Sequence, residues 1–204
     1  LLPCFATLIP KLDNKIAEAV DIFKGVITIG SGVSDSFSTL SIGTGGLATL
    51  NMTGGTISAN RLSLGSAGST FNITGGTLHV DYIDFPLYVK GATVGPGHSA
   101  GITYVDGGYS QDASSTLEIE IAGISTENPV EFDHLKVTGN ISLAGTLTVT
   151  TINVSQPPIG TYKILSWTGS LSGTFSTYNL PALAGGRTWS TANIYTTGVI
   201  EVVG

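Results

Sequence analysis

Few side chains in this sequence are of the kinds that do chemistry, and their spacing limits what each can do. Glu118 and Glu120 stand two apart in Leu117-Glu-Ile-Glu-Ile121. On a strand both carboxylates face one side and the aliphatic residues face the other. Paired carboxylates are the apparatus of glycoside cleavage by general acid and base. A solvated outer face above a buried one explains the same alternation and is the preferred reading. Asp81 and Asp84 flank Ile83, with Arg61 about one repeat earlier. They read as partners in a cross-strand ion pair or polar ladder. Asp133-His134 offers half of an acid/base pair, but no nucleophile accompanies it. A turn or strand cap is expected there.

Metal and phosphate chemistry is no better supported. His79, His98 and His134 are far apart, without ligand spacing. The single Cys4 gives neither a disulfide framework nor a cysteine metal cluster and reads as a small buried hydrophobe. The Gly-Gly-x-Gly-x-Asp calcium repeat is absent, which leaves the Asp106-Gly-Gly loop as a place for adventitious calcium only. Ile42-Gly-Thr-Gly-Gly46 lacks the Lys and the following helix of a phosphate loop. No catalytic residue, metal or cofactor is expected. Asn51, Asn72, Asn140 and Asn153 head Asn-x-Ser/Thr sequons and are candidate glycosylation sites. The first two share a repeat position, which suits a stacked asparagine ladder.

The elements that hold these residues follow from composition and pattern. The 204 residues include 28 Gly and 48 Ser plus Thr, and only 11% are charged, against a usual ~25%. The net charge is −6, with 8 basic residues scattered along the chain, so nucleic acid is not an expected partner. Coiled coil is excluded because Ala, Glu, Lys, Leu and Arg do not dominate, and disorder by the 41% hydrophobic content and the low charge. No run of 18 apolar residues occurs, and no transmembrane segment is expected. Residues 1–10 form an uncharged apolar arm, expected to be retained rather than to be the tail of a secretion signal. In 11–24, Leu12, Ile16, Ala19, Val20 and Phe23 recur at helical spacing before Gly25. A short amphipathic α-helix is predicted there, as an N-terminal cap.

After Gly25 the sequence repeats itself. Asn51-Met-Thr-Gly-Gly-Thr-Ile57 returns, at a displacement of 21, as Asn72-Ile-Thr-Gly-Gly-Thr-Leu78. Leu40-Ser-Ile-Gly43 returns, at a displacement of 22, as Leu62-Ser-Leu-Gly65. Each unit holds three short stretches that alternate apolar and polar residues, separated by Gly- and Asn-rich turns. That describes one coil of a three-sided parallel β-helix whose apolar residues stack into internal ladders. A period of 21 or 22 favours the right-handed form over an ~18-residue left-handed solenoid. The predicted fold is all-β, a right-handed three-sided parallel β-helix. Its parts are the arm and capping helix (1–24), regular coils (25–93) and a looser C-terminal region of the same solenoid (94–204).

That C-terminal region carries an ordered set of motifs. Gly95-Pro-Gly-His-Ser99, Gly108-Tyr-Ser-Gln111 and Ser115-Thr-Leu-Glu-Ile-Glu120 come first. Phe132-Asp-His-Leu-Lys-Val-Thr-Gly139, Leu143-Ala-Gly-Thr-Leu147, Gly160-Thr-Tyr-Lys-Ile-Leu165 and Leu171-Ser-Gly-Thr-Phe175 follow. This succession resembles the final β-helical region of autotransporter passenger domains and related exported bacterial surface proteins. The resemblance implies export from a Gram-negative-type cell and an extracellular or cell-surface location. No membrane barrel or sorting tail follows Gly204, so self-anchoring by a barrel is not expected.

The expected function is that of a non-enzymatic extracellular structural protein. Copies of the chain would join head-to-tail through solenoid ends into a filament or surface matrix. Leu1, Leu2, Phe5, Leu8, Ile9, Ile16 and Phe23 are the expected assembly residues. The alternative is an adhesin or glycan-binding module, with surface glycans as partners. It predicts an exposed aromatic cluster drawn from Tyr82, Tyr88, Tyr104 and Tyr109. A polysaccharide-degrading β-helix enzyme comes third, since so few charges are available.

Overall fold

Val, Ile, Leu and Thr alternate with small polar residues through most of the chain, and this period of two builds strands with one apolar side. The computed structural model describes residues 19–127 and 130–204. Among them every regular element is a strand; there are nineteen strands and no helix. Sixteen strands form one large curled sheet whose strand pairs are parallel, and three form a small antiparallel sheet.

Register follows the repeat. Asn51 pairs with Asn72, Ile57 with Leu78 and Leu62 with Ile83, each one repeat apart in the chain. Leu40 pairs with Leu62 in the same way. The pairs extend into rows. Leu40, Leu62, Ile83, Val105 and Val137 form one, and each is at most 3% exposed. Ile57, Leu78, Val94, Leu117 and Leu147 form a second. Met52, Ile73 and Val89 belong to a third. Neighbours in a row lie about 4.8 Å apart along the hydrogen-bonding direction, so each repeat buries the apolar face of the next. At roughly 1.5–3 kcal/mol per fully buried aliphatic side chain, these rows are the main source of stability.

The Thr-Gly-Gly-Thr motif is where the register between the stacked strands shifts. Gly76 has a φ of +87°, and a Cβ there would lie 2.5 Å from the Gly55 carbonyl oxygen of the corner stacked on it. Only glycine fits corners that approach so closely.

In the second half the displacements lengthen, as in Val105 with Val137 and Leu117 with Leu147. Longer loops separate strands there without breaking register. Gly160–Lys163, Thr188–Ser190 and Val199–Val203 make the antiparallel sheet. It contributes Tyr162, Ile200 and Val202 to the common core, with Tyr162 edge-on to Phe132 at 5.4 Å. Tyr195 lies beside the last parallel strands. Its hydroxyl accepts the Phe175 N–H at 2.8 Å and meets the Tyr178 hydroxyl at 2.5 Å.

One expectation is corrected. The helix predicted for 11–24 does not extend through its second half, because Val20–Ile22 is a strand paired with Leu40–Ile42. Helical spacing in 11–24 competes there with the alternation Val20-Asp21-Ile22. Backbone pairing and burial of Ile22 against an existing sheet outweigh a weak helical preference. Residues 11–18 lie outside the described residues, as does the whole 1–10 arm. So do Leu1, Leu2, Cys4, Phe5, Leu8, Ile9 and Ile16.

Candidate functional site

Glu120 and Asp133 hold backbone N–H groups. Glu118 and Glu120 lie on the outer side of Thr116–Ile121, with Leu117, Ile119 and Ile121 buried behind them. Glu120 accepts the Ala100 N–H at 3.1 Å. Asp133 is 1% exposed and acts as a clasp. Its two carboxylate oxygens accept the Gly101 N–H at 2.6 Å and the Glu120 N–H at 2.9 Å. Burial pushes this carboxyl up to about 7 against the pull of those donors, and Glu120 and Glu118 add to the rise. His134 Nε2 bonds to Ser166 Oγ at 2.7 Å. Burial, then Lys136 and Lys163, hold its imidazole down at about 4. Asp133 and His134 are adjacent in sequence but share no partner, so no acid/base pair is assembled. Asp84 bonds to Arg61 at 3.0 Å and Asp81 to His98 at 2.9 Å. Among the described residues, no three His, Cys, Asp or Glu side chains converge as metal ligands would.

The four tyrosines separate into three environments. Tyr109 is buried, and its hydroxyl donates to Gln111 Oε1 at 2.9 Å. Tyr82 and Tyr104 pair in register on the outside of the sheet. Their rings stack at 6.0 Å, with Arg61 4.7 Å over Tyr82 and Lys136 5.1 Å over Tyr104. Arg61, Tyr82, Tyr104 and Lys136 are successive in one row, so the ring faces are used up inside it. Tyr88 is different: it is 64% exposed.

Tyr88 borders a surface groove of about 620 Å³, whose lining also includes Asn72, Phe71, Lys90, Ser110 and Asp112. Strand pairing is sparse beside the groove. Thr70–Ile83 and Leu87–Val89 share a single ladder pair, Ile73 with Val89. The displacement from Ile73 to Val89, across the link Asp84-Phe85-Pro86, is shorter than that from Met52 to Ile73, and the ladder does not continue to Phe71 and Leu87. Phe71 is left partly exposed, whereas its ladder partner Leu50 is buried. Asn72 Nδ2 donates to Asn51 Oδ1 at 2.8 Å along the groove. Asp112 is pinned by the Ser115 and Ser114 hydroxyls and by the Gly91 and Ser114 N–H groups, which hold its carboxyl down at about 2. The repeat motifs alone do not mark this groove. The signal that could have found it is the shortened spacing from Asn72 to Tyr88.

The remaining sequons lie apart from the groove. Asn140 Oδ1 accepts the Ser170 N–H at 2.9 Å, and Asn153 is exposed with a φ of +58°. Phe23, the one expected assembly residue that is described, is 67% exposed, and Val26 and Leu47 nearby are 66% and 62% exposed. Among the described residues, no helix is long and apolar enough to cross a membrane. No family model matches the chain, and no curated protein or solved structure matches it.

Proposed function

We propose that this chain is a right-handed three-sided parallel β-helix that serves as a non-enzymatic structural protein outside the cell, exported from a Gram-negative-type bacterium and joined to copies of itself end to end. One observation carries the assembly reading. Among the described residues, Gly25–Ile29 pairs on one side only, and so does Leu171–Gly173 at the far end of the same parallel sheet. An N-terminal edge and a C-terminal edge with strands running alike can continue one ladder across two molecules. Such a contact is heterologous, and when it does not close it makes filaments. Phe23, Val26 and Leu47 set apolar surface beside the N-terminal edge. At the other end Leu165–Trp167 and Thr177–Asn179 also pair on one side only among the described residues, and Leu171–Gly173 is the one that lies in the same strand row as Gly25–Ile29.

Electron microscopy and light scattering of the purified chain test this, with residues 1–10 present or removed and with Phe23→Ser. Filaments or concentration-dependent oligomers are expected from the full chain and fewer from either variant. A chain that stays monomeric at high concentration overturns the reading.

A further inference from the structure

We infer that the groove beside Tyr88 is a binding site for an uncharged oligosaccharide, a role beyond self-assembly and independent of it.

The first ground is the ring itself. A buried tyrosine packs on both faces, and Tyr82 and Tyr104 close theirs with each other and with two cations. Among the described residues, Tyr88 has neither an aromatic nor a cationic partner and keeps 64% of its surface in water. An exposed tyrosine face offers a flat apolar platform with a polar tip. The C–H face of a pyranose ring is its natural complement.

The second ground is what surrounds the ring. Asn72 and Ser110 line the groove with Tyr88, Ser110 as its ladder partner and Asn72 next to the Ile73–Val89 pair. Asn72 gives its amide N–H to Asn51, which leaves its carbonyl oxygen to accept from a ligand hydroxyl. The Ser110 hydroxyl both donates and accepts. Lys90 brings donors to the rim, and the four bonds to Asp112 all fall on one carboxylate oxygen, which leaves the other toward solvent. These groups meet a polyhydroxylated ligand, which must both give and take hydrogen bonds.

The third ground is charge and size. Lys90 and Asp112 cancel, so the groove favours neither an anionic nor a cationic ligand. About 620 Å³ lies within the range of small-molecule sites and suits a short oligosaccharide. Phe71 and Asn72, which line the groove, lie outside the ladder pair that Thr70–Ile83 makes with Leu87–Val89.

The test uses the whole chain and saturation-transfer NMR with four neutral probes: cellotetraose, maltotetraose, mannotetraose and N-acetylchitotetraose. At least one is expected to bind, with the strongest transfer on the protons of one sugar face. Tyr88→Ala should weaken that binding by roughly tenfold or more, as for loss of an aromatic anchor. Tyr88→Phe should retain most of it, and Tyr104→Ala should leave it unchanged. Tyr88 is exposed, so both Tyr88 variants should keep the parent circular dichroism. The proposal is overturned if none of the four binds, if Tyr88→Ala binds as well as the parent, or if a sulfated heparin tetrasaccharide binds more tightly than every neutral probe.

Discussion

Tyr82 and Tyr104 stand in register on neighbouring parallel strands, their rings 6.0 Å apart and 26° from parallel. Arg61 covers the free face of one and Lys136 the free face of the other. The Tyr82 hydroxyl donates to Asp106, which also accepts from Thr138 at 2.6 Å. Four repeats are thus tied together on their outer side by one row of side chains.

Such a row should be cooperative. Tyr104→Ala removes the partner of both Tyr82 and Lys136, and a loss of about 2–4 °C in melting temperature is expected. Tyr82→Leu and Tyr104→Leu should each destabilise by more than half of the double variant's loss, because each alone already breaks the stack. Thermal unfolding of the four proteins measures this, and strictly additive losses would show that the rings do not interact.

The part of the fold legible in the sequence is the part where nothing interrupts the repeat. Asn51 with Asn72 and Leu40 with Leu62 are paired in space as their displacements in the chain suggest. Period-two alternation also sorts Leu117, Ile119 and Ile121 correctly from Glu118 and Glu120. The second half is opaque for a physical reason. A sheet row constrains only the strands. Loops of variable length can therefore place Val137 much further along the chain from Val105 than Val105 is from Ile83, at no cost in register. Val20–Ile22 reads as helix because three residues are too few to tell a period of 2 from one of 3.6. The candidate site is hidden for a related reason. Tyr88 and Tyr109 look alike in sequence, and only register puts one in an outer row and the other in the core.

The stacked corners make a sharp prediction about glycine. Gly76 and Gly186 have similar φ values, +87° and +80°. Alanine at Gly186 meets nothing within 4 Å, so Gly186→Ala should cost only the conformational penalty of the left-handed region, about 1 kcal/mol. Alanine at Gly76 meets the Gly55 carbonyl at 2.5 Å and must also force two corners apart. Gly76→Ala should therefore cost at least about 2 kcal/mol more, of the order seen for overpacking. Urea unfolding of the two variants decides it; equal losses would mean that the corners are not packed against each other.

Asp133 and His134 should make opposite contributions to stability across the same pH range. Native Asp133 titrates at about 7, whereas an unfolded aspartate does so near ~3.9. Between these values the native state holds the extra proton, so this contribution is present below about 4 and is lost as the pH rises to 7. Native His134 titrates at about 4 and an unfolded histidine near ~6.5, so the unfolded state holds the extra proton. Its contribution is present above about 6.5 and is lost as the pH falls. The two slopes nearly cancel in the parent protein, which should change little in stability from about pH 4.5 to 6.5. Asp133→Asn leaves His134 unopposed, and stability should then rise with pH. His134→Gln leaves Asp133 unopposed, and stability should fall with pH. Each slope is bounded at about 1.4 kcal/mol per pH unit, the value for one proton. Urea unfolding at three pH values across that range measures both variants. Slopes of the same sign would mean that the carboxyl clasp on Gly101 and Glu120 is ionised in the native protein, and that its two N–H donors outweigh its burial.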